Sequence, residues 1–227
     1  MPLKKIINKT LRQTVYERIR KSIISAELLP GEPIGLRPLA TSLGVSQMPV
    51  REALLQLERE SVVVIESNKS IRVNKLNSKE LDEILWIRLT LETMAAEKAC
   101  ELRPDSCLPG LKTLITEMWD SIERPKEYFK KNVQLHFGIY KLAKSPNLLQ
   151  IIDGLWARIG PYLNIQMIGL PHIRKVAMHC HERMYQALAE RDKAEMQKAL
   201  ADDLSRTADR IRPLLDMPLD FQDSRKY

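Results

Sequence analysis

The segment from Leu36 to Arg59, LRPLATSLGVSQMPVREALLQLER, constrains the fold more than any other part of the chain. It predicts two short helices around a glycine turn. Ala40 is small enough to let the helices approach, Gly44 tolerates a positive φ, and Val50 fills the angle between the helices. This spacing is the helix-turn-helix pattern, in which the second helix enters the major groove of DNA.

The second helix of the pattern is expected to begin near Gln47. Ser46 is a natural N-cap, and Pro49 falls in the first turn, where a missing N–H costs no hydrogen bond. Apolar residues at helical spacing predict the buried face: Val50, Leu54 and Leu57. Gln47 and Arg51 share the opposite, exposed face, so we expect these two side chains to contact bases.

The distribution of charge favours a nucleic-acid partner for the same region. Residues 1–77 hold 13 Lys and Arg against 7 Asp and Glu, whereas residues 78–227 hold 23 against 22. Nearly all of the net charge of +7 therefore lies in the part of the chain that carries the motif. A polyphosphate partner favours such an excess.

Composition and cysteine usage predict a cytoplasmic protein. The first ten residues, MPLKKIINKT, lack the apolar run of a signal peptide. The most apolar stretch, residues 148–170, is interrupted by Asp153, Arg158 and Pro161, which argues against a membrane span. Three cysteines with no metal-ligand spacing favour reduced thiols.

A wing is predicted directly after the helix-turn-helix. The β-rich runs 62–65 and 71–73 are joined by a short polar loop in which Asn68 tolerates a left-handed conformation, and this pattern predicts a hairpin. Lys69 and Arg72 would bring positive charge to the tip or edge of the hairpin, where it suits phosphate or minor-groove contact.

Every segment after Asn77 has helical periodicity, and the segments number six. Four prolines are expected to mark helix breaks or first turns: Pro125, Pro146, Pro161 and Pro171. We therefore predict a mainly α protein with a winged helix-turn-helix domain at residues 1–76 and an all-α six-helix bundle at 77–217. Residues 218–227 are expected to form a flexible tail.

The motifs LPGEPI, LGVSQMPVREALLQLE and IRVNKL resemble the winged-helix signature of the GntR family of transcriptional regulators. The second domain resembles the helical effector-binding (FCD) domain of the FadR-type branch, so the resemblance covers nearly the whole chain. It places Arg37 and Arg51 at positions that contact DNA in the family. Leu36, Gln47 and Ser70 depart from the family pattern, where Glu, Arg or Pro, and Gly are usual.

The resemblance also implies a homodimer on a near-palindromic operator, because two symmetric recognition helices require symmetric half-sites. Family effectors are often small organic acids. We take the following residues as the candidate DNA-binding set: Arg37, Ser46, Gln47, Met48, Arg51, Asn68, Lys69 and Arg72.

Four polar residues of the second domain form a candidate metal site. Asn132 and His136 are four residues apart and project from one helix face. His181 and Asp203 each lie eleven positions from an expected turn near Asp192, or about 16 Å along antiparallel helices, so they should sit level. These positions coincide with the metal-binding set of the family, where Asp is usual at the first and His at the last.

Asn132 stands where the family usually has Asp, and Asp203 stands where it usually has His. These two replacements leave two interpretations of the site. His and carboxylate ligands suit a divalent ion such as Zn, Ni, Mn or Fe(II), with the amide oxygen of Asn132 as a weak fourth ligand. Alternatively, the metal has been lost and the residues form a hydrogen-bonded polar cluster, because buried polar groups must be satisfied.

Arg88 is the candidate effector-binding residue, because it falls inside the apolar stripe of its predicted helix. A planar guanidinium can grip a carboxylate with two hydrogen bonds. The competing interpretation is an internal pair with Glu92 at i+4, or an interdomain salt bridge, since an unpaired buried Arg is expensive.

Together these features predict a ligand-responsive DNA-binding transcriptional regulator, which we expect to act as a repressor. Two alternatives remain at this point: a metal-dependent enzyme with an accessory winged-helix domain, and a constitutive DNA-binding protein with a vestigial effector pocket. The enzyme hypothesis lacks a nucleophile–base pair and a phosphate-binding loop.

Overall fold

The structure, a computed structural model, describes residues 10–67, 70–169 and 171–216, without the side chains of residues 169 and 171. The chain divides into two compact units between Lys75 and Leu76. Three predictions fall outside the described residues: the wing contacts of Asn68 and Lys69, and the flexible tail at 218–227.

In its described part, the first unit contains three helices and a hairpin. Their bounds are α1 Leu11–Ile24, α2 Leu36–Leu43, α3 Gln47–Arg59, β1 Val63–Ile65 and β2 Ile71–Val73. Helix α1 packs on α3 through apolar residues at helical spacing, and these are buried: Val15, Ile19 and Ile23 from α1, and Val50, Ala53, Leu54 and Leu57 from α3. The core is therefore built on the i, i+4 pattern visible in the sequence.

The turn between α2 and α3 has the conformation that the sequence predicts. Gly44 has φ 67° and ends α2, and its N–H lies against the carbonyls of Ala40 and Thr41. Ser46 occupies the N-cap position of α3, but its side chain makes no capping hydrogen bond. The predicted start of the helix at Gln47 is confirmed, whereas the expected capping bond is absent because the Ser46 hydroxyl does not reach a backbone N–H of the first turn.

Strands β1 and β2 form the predicted hairpin. They pair antiparallel with Val63 opposite Val73 and Ile65 opposite Ile71. The backbone N–H of Glu66 donates to the carbonyl of Ser70 at 2.9 Å and closes the loop. A winged helix-turn-helix is thus confirmed.

The second unit contains six α-helices in its described part: α4 Ser78–Leu102, α5 Leu108–Asp120, α6 Pro125–Lys141, α7 Pro146–Gly169, α8 Pro171–Glu190 and α9 Lys193–Leu215. A 3-10 turn at Asp105–Cys107 leads into α5. Helix α4 begins with a capping box, in which Asn77 and Glu80 each accept the other's backbone N–H. Its main neighbour is α9. The predicted all-α six-helix bundle is confirmed.

A tight turn joins α8 to α9. Arg191 has φ 58°, and Asp192 is the N-cap of α9, where its side chain accepts the N–H of Glu195 at 2.9 Å. The guanidinium of Arg191 donates to the carbonyls of Cys100, Glu101 and Arg103 at the end of α4. The turn is therefore fixed twice: Asp192 caps α9, and Arg191 joins the turn to the end of α4.

Three of the four prolines begin helices as expected, since Pro125, Pro146 and Pro171 are the first residues of α6, α7 and α8. Pro161 lies inside α7, so the prediction of a break or first turn there was wrong. Proline removes one backbone hydrogen bond, and the flanking Tyr162 and Leu163 are buried, so apolar packing keeps the helix continuous. Across the described residues, no helix combines the length and apolar character needed to cross a membrane.

Candidate functional site

The outer face of α3 is the candidate DNA-reading surface. Gln47, Met48 and Arg51 are exposed there, whereas Val50 and Leu54 are fully buried. The division into faces predicted from the spacing is confirmed. Contact between these side chains and DNA stays a prediction.

Two further candidate DNA contacts, Arg37 and Ser46, are also exposed. In the wing, Arg72 has two partners within the first unit. Its Nε lies 3.5 Å from Oε1 of Glu66, and its Nη1 donates to the carbonyl of Gly31 at 3.4 Å. Its side chain remains about half exposed. Arg72 therefore reaches a phosphate only by releasing a weak surface ion pair, which costs little.

Three potential metal ligands converge in the second unit, each from a different helix. His136 on α6, His181 on α8 and Asp203 on α9 are all buried, and we call them the His–His–Asp triad. Nε2 of His136 lies 3.4 Å from Nε2 of His181 and 3.5 Å from Oδ2 of Asp203. Nε2 of His181 lies 3.6 Å from Oδ1 of Asp203. His181 and Asp203, which lie at equal distances before and after the α8–α9 turn, are level with each other, as helix geometry predicts.

Nδ1 of His136, the ring nitrogen that faces away from the triad, forms a hydrogen bond with Tyr140. The Tyr140 hydroxyl donates to Oε2 of Glu92 at 2.5 Å, so its oxygen accepts from Nδ1–H of His136 at 2.9 Å. This assigns the proton of the neutral imidazole to Nδ1 and leaves the Nε2 lone pair facing the triad. We call Glu92–Tyr140–His136 the α4–α6 relay.

His181 has a similar partner. The Tyr128 hydroxyl donates to the carbonyl of Arg174 at 3.3 Å and lies 3.5 Å from Nδ1 of His181. The same reasoning places the His181 lone pair on Nε2. Both imidazoles are therefore oriented by outer groups in the manner that metal-binding histidines require.

The separations within the triad fit a tetrahedral metal ion. Ligand bonds of about 2.0–2.1 Å in tetrahedral geometry put donor atoms about 3.3 Å apart. The distances of 3.4, 3.5 and 3.6 Å are close to that value. Two imidazole nitrogens and a carboxylate suit Zn, Ni, Mn or Fe(II), so the residues present are suitable for a divalent ion.

Burial sets the protonation of the triad. It lowers the pKa of His181 to about 3 and, together with the neighbouring His181 and Arg88, holds the pKa of His136 well below its usual range. It raises the pKa of Asp203 to about 7. Near neutral pH both imidazoles are therefore uncharged, while the carboxyl is close to its titration point.

A small cavity opens beside the triad and is lined by Arg88, Asn132 and Asp203. Asn132 is buried on the same helix as His136. The structure thus brings all the sequence-predicted residues of this site into one region of the second unit. The cavity has a free volume of about 10 Å³, close to the smallest that can hold one water molecule.

Arg88 forms a buried ion pair with Glu92. This pair was one of the two interpretations of why an arginine lies in the apolar stripe. Nε of Arg88 lies 2.5 Å from Oε1 of Glu92, and Nη2 lies 3.3 Å from Oε2. Glu92 also accepts from Tyr140 and from Nε1 of Trp156 at 3.1 Å. These four hydrogen bonds use the accepting capacity of the carboxylate, so Arg88 and Glu92 are tightly joined.

Two residues of this network were missed by sequence reasoning. Tyr140 lies four residues after His136, so the spacing argument that linked Asn132 to His136 could have found it. Trp156 reaches Glu92 from 64 residues further along the chain, and no local spacing signals that contact.

Comparison with known proteins agrees with the two units. Residues 11–73 match the family described as "Bacterial regulatory proteins, gntR family", and residues 83–206 match the FCD domain. The HTH-type transcriptional regulator McbR of Escherichia coli (strain K12) is 28% identical over 197 residues, which cover 85% of this chain and 89% of McbR.

The HTH-type transcriptional repressor RspR of Escherichia coli (strain K12) is 22% identical over 208 residues, covering 90% of each chain. The solved structure of E. coli McbR/YncC matches with a TM-score of 0.85 at 25% sequence identity, covering 92% of this chain and 100% of that one.

The exposed recognition helix, the wing and the helical second unit define a DNA-binding transcriptional regulator that responds to a ligand. The chain belongs to the GntR family of bacterial regulatory proteins, and its second unit is an FCD domain. The family matches and the relatives reported above are those of transcriptional regulators and not of enzymes.

Proposed function

We propose that the protein is a homodimeric, cytoplasmic repressor that leaves its operator when a small organic acid binds beside a divalent ion in the FCD domain. The observation that carries this proposal is the position of the His–His–Asp triad against the cavity lined by Arg88 and Asn132. A relative, RspR, is described as a repressor, which supports that direction of control.

The DNA-binding half of the proposal rests on α3 and the wing. Gln47, Met48 and Arg51 would reach base edges, while Arg37, Ser46, Asn68, Lys69 and Arg72 would contact the backbone and fix the register. Two such surfaces in a symmetric dimer read two half-sites about one helical turn apart. A near-palindromic operator is therefore expected.

The metal would be held by Nε2 of His136, Nε2 of His181 and the carboxylate of Asp203, with the amide oxygen of Asn132 as a weak fourth ligand. When bound, it would supply positive charge and a coordination position for an acid's oxygen. Arg88 lines the same cavity, as the carboxylate-clamp hypothesis requires, although Glu92 already pairs with its guanidinium.

Effector binding requires this cavity to widen, because an organic acid is larger than its free volume of about 10 Å³. A ligand that binds only the widened form shifts the protein toward that form by its differential affinity. Release of DNA then follows if the widened form binds the operator less tightly.

The test is fluorescence anisotropy with a labelled duplex taken from beside the protein's own gene, with and without Zn²⁺, against a panel of organic acids. We expect tight binding that at least one acid releases in the metal-loaded protein. Elemental analysis after dialysis should find one divalent ion per chain.

His181→Ala should abolish metal binding and the response to the acid while DNA binding remains. The matched control is His179→Ala, since His179 lies exposed on the same helix, outside the triad. Tight DNA binding that no acid changes, in protein that stays metal-free, would instead identify a constitutive regulator whose triad is a polar cluster.

A further inference from the structure

An apolar side chain stands exposed at the start of the DNA-reading helix. Among the described residues of the first unit, Met48 has the most exposed large apolar side chain, at 65%. It is the second residue of α3, and it takes no part in the buried face formed by Val50 and Leu54. Single exposed apolar residues are common, so exposure alone indicates no role. The position of Met48 among its neighbours is the informative observation.

Met48 begins a stripe along the outer face of α3 in which apolar and basic side chains alternate. The members follow one another at spacings of three and four residues, and all are exposed: Met48, Arg51, Leu55 and Arg59. Arginines on such a face suit phosphates and base edges. The apolar members require an apolar partner, because they gain nothing from either group.

Of the two apolar members, Met48 is the one placed to reach the bases. A helix-turn-helix protein contacts base edges with the N-terminal residues of its recognition helix. Met48 lies in the first turn of α3, directly after Gln47. Leu55 lies seven residues later, or about 10 Å further along the helix axis at 1.5 Å per residue. The base-facing end of the stripe is therefore apolar at one position.

The major groove offers one apolar group at the base edges, which is the C5 methyl of thymine. The amide of Gln47 and the guanidinium of Arg51 are hydrogen-bonding groups and gain little from a methyl. The methionine side chain is unbranched and polarisable, and its sulfur is only a weak acceptor. Met48 thus gains from contact with a thymine methyl and gains little from the polar edges of the other bases.

We infer that each operator half-site contains a thymine whose C5 methyl packs against the side chain of Met48. This inference rests on the proposed DNA-binding function and deepens it by naming one base and the group of that base that is read. Burial of one methyl group is worth about fourfold in affinity. Because a symmetric dimer makes the contact twice, both methyls together are worth about fifteenfold.

The test replaces thymine by deoxyuridine, which lacks only the C5 methyl and still pairs with adenine. The full-length protein first selects a preferred duplex from a randomised library, and each thymine of that duplex is then replaced in turn. Binding is measured by fluorescence anisotropy at one fixed salt concentration, since affinity for DNA depends on salt. One thymine in each half-site should show a loss of about fourfold, and replacement of both should give about fifteenfold.

Variants at position 48 connect this loss to the methionine. Met48→Ala should bind the thymine and deoxyuridine duplexes equally, whereas Met48→Leu should keep most of the difference because leucine also presents an apolar side chain. Neither variant removes a buried group, so both should fold. Leu55→Ala is the matched control: Leu55 is exposed on the same stripe, and its removal should leave the full deoxyuridine effect.

Two outcomes overturn the inference alone. The parent could bind a preferred sequence with no loss at any deoxyuridine. Met48→Ala could show the same losses as the parent at every sensitive thymine, which would assign the methyl contact to another side chain. Failure of the parent to prefer or bind any duplex would overturn the proposed DNA-binding function as well, so the two failures are distinguishable.

Discussion

The hydroxyl of Tyr140 joins the triad to the buried ion pair of α4, since it donates to Glu92 at 2.5 Å and accepts from His136 at 2.9 Å. The candidate ligand His136 is therefore joined to Glu92 by two hydrogen bonds and to Arg88 by three. A change at either end alters the orientation of the other, which is a physical route by which ion and effector would affect each other's binding.

Tyr140→Phe should weaken metal binding about tenfold, because the α4–α6 relay that orients His136 is broken while the ring is kept. Competition with a chelator of known affinity measures this change. Tyr185→Phe, a half-buried tyrosine on α8 outside the relay, is the control and should leave the affinity unchanged. Equal affinity in the Tyr140 variant and the parent would show that the relay does not act on the metal.

The affinity for metal should rise with pH up to about pH 7 and then level off. Burial raises the pKa of Asp203 to about 7, so below that pH the metal must displace a proton from the carboxyl. The pKa of His181 is about 3, and that of His136 is also lowered, so the imidazoles impose no such competition near neutral pH. The expected slope below pH 7 is about tenfold per pH unit for one displaced proton.

Metal titrations between about pH 5.5 and about pH 8.5 measure this profile, because that range spans the pKa of Asp203 and lies above the pKa of both histidines. Asp203→Asn should lose most of the affinity and flatten the profile. If Asp203→Asn kept the slope of the parent profile, a histidine rather than Asp203 would control binding.

Gln47→Ala should change the sequence preference of DNA binding more than its overall strength. Gln47 is exposed on α3 and can pair with an adenine edge, a contact worth about 1–3 kcal/mol of discrimination. Selection from a randomised operator measures the preference. Lys69→Ala is the contrast: it should weaken all sequences alike and reduce the salt slope by about one. An unchanged preference in the Gln47 variant would place base recognition elsewhere on the unit.

Gly44→Ala should lower the free energy of unfolding of the DNA-binding unit by about 1–2 kcal/mol, since φ of 67° is strained for a residue with a Cβ. Urea denaturation followed by circular dichroism measures it. Gly154→Ala is the opposite control: it lies inside α7 with nothing within 4 Å of an added Cβ, and should be neutral or stabilising. Equal stability of the Gly44 variant and the parent would mean that the turn adopts another conformation.

Much of the fold could be predicted because helices have a fixed rise and periodicity. The level positions of His181 and Asp203 followed from equal distances to one turn, and the buried face of α3 followed from its spacing. Continuous helix through Pro161 could not be predicted, since tertiary packing overrides a local penalty there. The bond from Trp156 to Glu92 depends on how α4 and α7 pack, which no short segment encodes.

The capped turn at Arg191 and Asp192 has a consequence for how this family of sequences can diverge. Each residue of an α-helix rotates the following side chain by about 100°, so inserting or deleting one residue of α9 between the capped turn and Asp203 would carry Asp203 about a quarter of the way round the helix. Substitutions can exchange one potential ligand for another at position 203, but a change of length within that stretch turns the side chain away from His136 and His181. The site thus tolerates a change of residue type at position 203 but not a change in the number of residues that precede it in α9.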